Sequence, residues 1–317
     1  TIMATLGDLH ATTTLHVITA TVASLSISPT TATISAGQAI SYTVMATDAA
    51  GNTWNATQGS HFISESGAGG SWGGNVYTGT IAGRWPVYAI YGGRVVTAIL
   101  TVTPGIATEI ALTPQAWTIT AGTSLTYTVT ASDAYGNTWE VTSDAAYAVT
   151  PSARGTWTGS IYTGQVAGAW TVTATVGQAM DTTPLIVTHG PASNVSLAPV
   201  SATITTGQPV VYTVWATDAY DNGWLATAEA AYAITPEAGG IWARNVYYVE
   251  HAVTWVVTAT VGGQYATAQL RVVAPSPPSY NLTVSPIGED TVTRQPEGQA
   301  YPQGQVVTLT AVPEDGW

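Results

Sequence analysis

Three loops of the chain carry residue types that could hold a calcium ion. Each loop places an Asn four residues after an Asp: Asp48 and Asn52, Asp133 and Asn137, Asp218 and Asn222. Calcium takes six or more oxygen ligands, and each loop offers one carboxylate with certainty. Asp and Asn also close turns by bonding their own backbone. We therefore expect turns here. Calcium is the alternative, and the third loop suits it best because Asp221 adds a second carboxylate.

One short motif resembles the surroundings of a catalytic serine. Residues 69–73 read Gly-Gly-Ser-Trp-Gly and match the G-x-S-x-G pattern. That pattern needs a strand, a sharp turn and a helix, and no helical pattern follows residue 73. The His residues form no closely spaced ligand pair, so zinc is not expected. The acids are scattered singly, which gives no carboxylate pair for glycoside hydrolysis. The sequence therefore predicts no enzyme, no cofactor and no catalytic residue.

Tryptophan is the other residue type that could bind a ligand, by stacking on sugar rings. Nine of the twelve Trp recur at one spacing of 85 residues: Trp54, Trp139 and Trp224; Trp72, Trp157 and Trp242; Trp85, Trp170 and Trp255. We expect these nine to be buried against β-sheets, where large aromatic side chains contribute most. Trp117 and Trp215 break the pattern, because the first repeat has Ala32 and Met45 at these positions. These two are the candidates for surface ligand binding.

Three triplets match the acceptor sequence for N-linked glycans. They begin at Asn55, Asn194 and Asn281. Such triplets arise by chance in a Thr-rich chain, and these three do not follow the repeat spacing. Glycosylation at these residues is nevertheless reasonable for a secreted surface.

The spacing of 85 residues also organises the whole chain. It relates other landmarks: Pro29, Pro114 and Pro199; Gly37, Gly122 and Gly207; Tyr42, Tyr127 and Tyr212. A fixed long period is typical of domain arrays. The predicted boundaries are residues 1–19 for the last two strands of a preceding repeat, 20–104, 105–189 and 190–274 for three full repeats, 275–279 for a Pro-rich linker, and 280–317 for a partial β module.

Composition narrows the fold and the partners. Hydrophobic residues make up 45% of the chain and charged residues only 8%, against about 25% charged in ordinary soluble domains. The net charge is −12, with six Arg and no Lys, so neither a nucleic-acid backbone nor an anionic membrane is an expected partner. The chain has no Cys and no apolar run near the ~18 residues of a membrane span.

Short alternating segments separated by turns fill each repeat. Turn residues recur every 8–12 positions or so, as an immunoglobulin-like sandwich requires. In the first repeat we expect strands on both sides of a Gly-rich stretch, Gly67–Gly74. The sequence therefore predicts an all-β protein of tandem immunoglobulin-like β-sandwiches in a linear array, with incomplete β modules at both ends.

The repeat pattern resembles the bacterial immunoglobulin-like (Big-type) repeats of microbial cell-surface proteins. It is most complete in the second repeat, at Ile110–Pro114, Thr118–Gly122 and Tyr127–Trp139. Residues 280–317 resemble the first half of an internalin-type B repeat. The resemblance implies an extracellular, cell-surface location and no shared catalytic site.

These observations predict a non-enzymatic structural region of an extracellular microbial protein. It would act as a stiff stalk or as the body of a surface filament or sheath, assembled by β-strand complementation between subunits. Its partners would be copies of itself, other surface proteins or glycans. The alternatives are a carbohydrate-binding adhesin and the accessory domains of a secreted hydrolase.

Overall fold

The protein is built from β-strands in three successive sandwiches. The computed structural model describes residues 1–14, 21–287 and 291–312. Within these ranges it contains strands and four single-turn 3-10 helices, Thr57–Gly59, Ser66–Ala68, Pro151–Ala153 and Pro236–Ala238, and no α-helix. The predicted all-β class and the tandem sandwiches are confirmed.

The strands follow the same order in each repeat. The N-terminal hairpin and the first repeat contain β1 (Ile2–Leu6), β2 (Leu9–Thr13), β3 (Val22–Ser28), β4 (Thr31–Ser35), β5 (Ala39–Ser41), β6 (Thr43–Asp48), β7 (Thr53–Asn55), β8 (His61–Ser64), β9 (Ser71–Gly73), β10 (Val76–Thr78), β11 (Gly83–Tyr91) and β12 (Arg94–Thr103). The second repeat contains β13 (Glu109–Thr113), β14 (Trp117–Thr120), β15 (Ser124–Thr126), β16 (Thr128–Ser132), β17 (Thr138–Glu140), β18 (Ala146–Val149), β19 (Gly155–Thr158), β20 (Ile161–Gly164), β21 (Gly168–Val176) and β22 (Ala179–Thr188). The third repeat contains β23 (Asn194–Ala198), β24 (Ser201–Thr205), β25 (Pro209–Val211), β26 (Thr213–Thr217), β27 (Gly223–Leu225), β28 (Ala231–Ile234), β29 (Ile241–Ala243), β30 (Val246–Tyr248), β31 (Val253–Val261) and β32 (Gln264–Val273). The C-terminal segment contains β33 (Ser279–Asn281), β34 (Thr291–Gln295), β35 (Ala300–Pro302) and β36 (Thr308–Val312).

Each repeat packs a four-stranded sheet against a second layer. In the second repeat the four-stranded order is β14-β22-β21-β18, and the other layer is formed by β13-β16-β17 and β15-β20-β19. Strand β14 runs parallel to β22, while the other pairs are antiparallel. The core lies between the layers, because alternate residues of each strand point inward, as Val129 and Ala131 do on β16.

The recurring tryptophans pack against the three cores, as predicted. All nine are half-buried. Trp157 is surrounded by three tyrosine rings, with centroid separations of 5.2 Å to Tyr147, 5.9 Å to Tyr127 and 5.0 Å to Tyr162. Trp170 donates its indole N–H to the Val166 carbonyl at 2.8 Å. These side chains therefore serve the packing of the sandwiches.

The glycine-rich stretch of the first repeat contains a short strand that the sequence pattern does not predict. It contains strand β9, which carries Trp72 and pairs with β10. Gly70 adopts φ +84° beside this strand, where an added Cβ would lie 2.0 Å from the carbonyl oxygen of Thr78. A glycine is needed where the two backbones approach so closely. The glycines of this stretch therefore lie in and beside a strand and do not indicate a loop.

Buried tyrosine hydroxyls fall into two groups with different surroundings. Tyr42, Tyr127 and Tyr212 are at most 1% exposed, and their hydroxyls have no hydrogen-bond partner among the described residues. Burial, and then the neighbouring Tyr162, raises the pKa of Tyr127 to about 12. The Tyr162 hydroxyl, in contrast, donates to the carbonyl oxygen of Arg154. The neutral phenol of Tyr127 thus favours the folded state, and this contribution is lost only as the pH rises above about 10 and through about 12.

One chemical change at these tyrosines is therefore expected to have two different outcomes. Tyr127→Phe removes a hydroxyl that has no partner, so the free energy of unfolding should stay the same or rise by up to about 1 kcal/mol. Tyr162→Phe removes the donor to the Arg154 carbonyl and should lower the free energy of unfolding by about 0.5–1.5 kcal/mol. Chemical denaturation of both variants checks this pair. An equal loss in both would contradict the assigned surroundings.

The chain divides into two compact units, Thr1–Thr188 and His189–Trp317. The first unit holds the N-terminal hairpin and the first two repeats, and the second unit holds the third repeat and the C-terminal segment. At the N-terminus, β1 and β2 form a hairpin whose side chains are all exposed; residues 15–19 of that predicted segment lie outside the described residues. At the other end β33 pairs with β35 and β34 with β36, while residues 288–290 and 313–317 lie outside them.

Candidate functional site: the Asp–Asn loops and the surface tryptophans

The Asp–Asn loop of the second repeat closes on itself through one buried carboxylate. Asp133 is 5% exposed. One of its oxygens, Oδ1, accepts the backbone N–H groups of Tyr135 at 2.9 Å and Asn137 at 3.0 Å. The other, Oδ2, accepts the Asn137 side-chain amide at 2.8 Å and the backbone N–H of Gly105 at 2.7 Å. Gly105 belongs to the linker after β12, so this carboxylate holds both its own turn and the connection between two repeats.

The amide of Asn137 reaches across to the first repeat. Its Oδ1 accepts the backbone N–H of Ala82 at 2.7 Å, and its Nδ2 donates to the carbonyl oxygen of Thr80 at 2.7 Å. Tyr135 lies against Gly37 of the first repeat, where an added Cβ would meet the tyrosine hydroxyl at 2.4 Å. The two repeats of the first unit are therefore joined by a polar contact and by close packing. We call these contacts, made by Asp133, Tyr135 and Asn137, the interrepeat joint.

The third loop uses the same geometry within the second unit. Asp218 is 2% exposed and accepts the N–H of Gly190 at 2.7 Å and the Asn222 side-chain amide at 2.7 Å. The ring of His189, in the same linker, stacks on Trp224 with centroids 3.7 Å apart. The linker before the third repeat is thus held as the linker before the second is.

Asp221 takes the place of a glycine in this third loop. Its φ of 64° is left-handed, as Gly136 is at φ 81° in the second loop. Its backbone N–H bonds to the carbonyl of Asp218 at 3.2 Å, and the corresponding bond in the second loop is 3.1 Å. The turn is therefore conserved in shape, and the Asp221 side chain is exposed. Asp tolerates this conformation better than most residues.

Hydrogen bonds lower the pKa of two of the loop carboxylates, Asp133 and Asp218. Burial alone would raise the pKa of Asp133, but the hydrogen bonds from the Asn137 side chain and from backbone N–H groups hold it below its usual value. The same balance lowers the pKa of Asp218. The contribution of each network to stability is therefore complete above the ordinary carboxyl pKa and is lost as the pH falls through the lowered one.

The hydrogen bonds also bear on the calcium prediction. Both oxygens of Asp133 already accept two N–H groups each, and a calcium ion would have to displace these donors. In the first loop Asp48 accepts the Asn52 amide at 2.8 Å. Over the described ranges, no group of three or more His, Cys, Asp or Glu side chains could hold a metal. Calcium binding stays a prediction, and calorimetric titration with calcium chloride would decide it.

The remaining candidate residues are on the surface. Trp117 is 55% exposed and Trp215 is 52% exposed, as expected of surface aromatics, and they belong to different repeats. Trp117 lies on edge strand β14 beside a shallow cleft of about 280 Å³ that Pro184 and Ile186 help to line. Their role as ligand-binding residues stays a prediction.

The glycosylation candidates and the serine motif also lie at the surface. Asn55, Asn194 and Asn281 are exposed, and glycosylation at them stays a prediction. Ser71 lies on strand β9, which leads into a turn and then strand β10 rather than a helix. A nucleophile elbow is therefore not formed there. Among the described residues the helices are single 3-10 turns, and none of them could span a bilayer.

Similar proteins were found only among solved structures. No protein-family model matches the chain, and no curated protein matches it in sequence. Among solved structures, the chain is similar to FdeC, described as a broadly conserved Escherichia coli adhesin, with 20% identity, a TM-score of 0.50, and coverage of 79% of this chain and 96% of that one. This likeness supports the tandem immunoglobulin-like fold.

Two further structures match the chain at lower similarity. Domains 1–6 of the surface layer protein SbsC match with 18% identity and a TM-score of 0.26, over 92% of this chain and 50% of that one. The I67–I69 fragment of the titin I-band matches with 7% identity and a TM-score of 0.36, over 80% of this chain and 99% of that one.

Proposed function

We propose that the chain is a non-enzymatic structural region of an extracellular microbial surface protein, acting as a stiff stalk. The observation that carries the proposal is the interrepeat joint, in which Asn137 bonds Thr80 and Ala82 of the preceding repeat. Its two polar members, Asp133 and Asn137, are almost fully buried, at 5% and 8% exposure. Buried polar groups that are fully paired fix one arrangement, since any other leaves them unpaired.

The strand order of each repeat also suits an array that extends end to end. In the first repeat β4 runs parallel to β12. The chain therefore leaves the sandwich at the end opposite to the one where β3 begins. The five residues 104–108 then lead into β13, and Pro104 limits the rotation of this linker. The structural likeness to an adhesin is in keeping with a surface location.

Electron microscopy of the intact protein tests the stalk proposal directly. Three sandwiches in line should give a straight particle on the order of 100 Å long, because each is about ten strand residues in height. Particles of this length with one preferred outline are the expected result. Compact particles, or particles bent at random between repeats, would contradict the proposal.

The stalk could also form the body of a filament or sheath, by β-strand complementation between subunits. The β1–β2 hairpin supports this version, because Ile2, Met3, Leu6 and Leu9 are each more than half exposed. A two-stranded ribbon of this kind is marginally stable alone. Micrographs that show end-to-end polymers, lost on deletion of the hairpin, would distinguish this version from a single stalk.

Carbohydrate binding is a second candidate function, favoured by the exposure of Trp117 and Trp215. Binding to a glycan array that is lost in Trp117→Ala or Trp215→Ala would support this function. A native protein that binds no glycan on the array would contradict it. A role as accessory domains of a secreted hydrolase would require a catalytic module elsewhere in a longer protein, which the full-length sequence would reveal.

A further inference from the structure

The third repeat has an exposed apolar surface on the outer side of its second layer. Strands β25 and β26 form one continuous line there, with Val211 and Trp215 pointing outward at 56% and 52% exposure. Leu225 lies directly opposite Trp215 on β27, and it is 57% exposed. Tyr248 on β30 and Ile241 on β29 lie opposite each other, at 42% and 67% exposure. We call these five residues the third-repeat face.

The five side chains lie on one surface because strands β30 and β27 both pair with the same edge of the continuous strand formed by β25 and β26. Strand β30 pairs with β25, and β27 pairs with β26. The backbone N–H of Tyr212 bonds to Asn245, and that of Val214 bonds to Thr227 on the same side. A cleft of about 460 Å³ lies between these two partners, and Leu225 and Arg244 are among the residues that line it.

The other two repeats have no such face. At the five equivalent positions the second repeat has polar residues throughout: Thr126, Thr130, Glu140, Thr156 and Thr163. The first repeat has only one large apolar residue in the set: Ser41, Met45, Asn55, Ser71 and Thr78. The fold therefore does not require apolar side chains at these positions. Their presence in one copy alone needs another explanation, such as an interface.

The charge pattern favours a second copy of the chain as the occupant. The protein carries a net charge of −12, so two copies repel each other wherever their acids meet. None of the outward-facing positions of β23, β25, β26, β27, β29 and β30 is an acid. In the second repeat the same layer presents Glu109 and Glu140. The third-repeat face is thus a place where two acidic chains can meet without opposing carboxylates.

The size of the face fits a small symmetric interface. Its five side chains present on the order of 500 Å² of apolar surface, since one aromatic side chain accounts for about 150–250 Å². A standard interface covers about 800 Å² on each partner, with an apolar centre and a polar rim. The Thr, Ser and Asn side chains of β23 and β26 would supply that rim. An area of this kind is enough for a dimer when the aromatic groups are well packed.

We infer that two copies of this chain pair through their third-repeat faces, layer against layer, about a two-fold axis. Both partners would present the same residues, as symmetric dimers do. Trp215 and Tyr248 are the aromatic anchors, and Leu225 and Ile241 flank them. The pairing is lateral, so it is independent of the end-to-end stalk proposal and of strand complementation at the N-terminal hairpin.

Sedimentation velocity of the intact protein tests the pairing between about 0.1 and 100 μM, a range that covers the weak, micromolar end of the affinities known for interfaces of standard size. The native protein should pass from monomer to dimer. Trp215→Thr and Leu225→Glu introduce the residues that the second repeat has at these positions, Thr130 and Glu140. Each substitution should raise the dimer dissociation constant by a factor of about 30 or more, as loss of a central anchor does.

A matched control is the other exposed tryptophan. Trp117→Thr removes an indole of similar exposure from a different repeat, and it should leave the dissociation constant unchanged. A native protein that stays monomeric, or variants that pair as tightly as the native chain, would overturn the inference. A monomer that binds glycans through Trp215 would overturn it as well. The melting temperature of each variant shows that it is folded, so loss of pairing cannot be confused with unfolding.

Discussion

Replacing Trp157 by Ala is expected to destabilise the second repeat by about 3–5 kcal/mol. The indole lies among the rings of Tyr127, Tyr147 and Tyr162, all within 6 Å between centroids. Truncation would leave a cavity bounded by rigid aromatic walls, which cannot collapse to fill it. The loss should stay within the second repeat, because each repeat has its own core.

Hydrogen exchange followed by mass spectrometry can measure this loss for one repeat at a time. Peptides from β21 report on the second repeat, while those from β11 and β31 report on its neighbours. Trp117→Ala is the control, because that indole is 55% exposed and its loss should change stability by no more than about 0.5 kcal/mol. Similar effects of the two substitutions would mean that Trp157 is not a core residue.

Removal of the Asn137 side chain is expected to uncouple the first two repeats. Asn137→Ala breaks both hydrogen bonds to the first repeat and leaves the Thr80 carbonyl and the Ala82 N–H without their partner. Both groups are partly buried, and the loss of each hydrogen bond should cost about 0.5–1.5 kcal/mol. The joint should therefore sample a range of orientations in the variant, while the second sandwich stays folded.

The absence of Cys makes this prediction simple to measure. Cysteines introduced at the exposed, equivalent positions Thr97 and Thr182 can carry spin labels on the two repeats without background labelling. Pulsed electron resonance should give a narrow distance distribution for the native joint and a clearly broader one for Asn137→Ala. An unchanged width would show that the amide does not fix the joint.

The first loop and acid pH provide two further controls. Asn52→Ala removes the same amide from the first loop, where it bonds Asp48 but is itself exposed, and it should leave the distribution narrow. Because the pKa of Asp133 is lowered, the native joint should remain narrow at pH 5. It should broaden only as the pH falls below about 4 and through the lowered pKa.

Much of the fold follows from the spacing of residues such as Trp54, Trp139 and Trp224. Equal spacing implies that the three repeats pack in the same way. Strands that alternate apolar and polar residues bury their apolar side chains between two layers. The turn formed by Asp133 and Asn137 was likewise predictable, since its bonds are local. Strand β9 was not, because glycines that allow two strands to approach closely look the same in sequence as glycines in a loop.

The interrepeat joint and the third-repeat face were beyond local sequence patterns. The bonds from Asn137 to Thr80 and Ala82 depend on where one repeat lies relative to another, and no local pattern encodes that placement. The apolar face left a signal that could have been read, since Trp215 and Leu225 replace Thr130 and Glu140 at equivalent positions. This replacement could be interpreted only with the strand register, because the register shows that both side chains point outward and lie opposite each other.

The parallel pairing of β4 with β12 has a mechanical consequence. Five residue pairs join these strands, from Thr31 and Ile99 to Ser35 and Thr103. Tension between the two ends of the repeat pulls the strands past each other in opposite directions, which strains their hydrogen bonds together. The antiparallel hairpin of β1 and β2 differs, because force on its two ends peels the pairs apart one at a time.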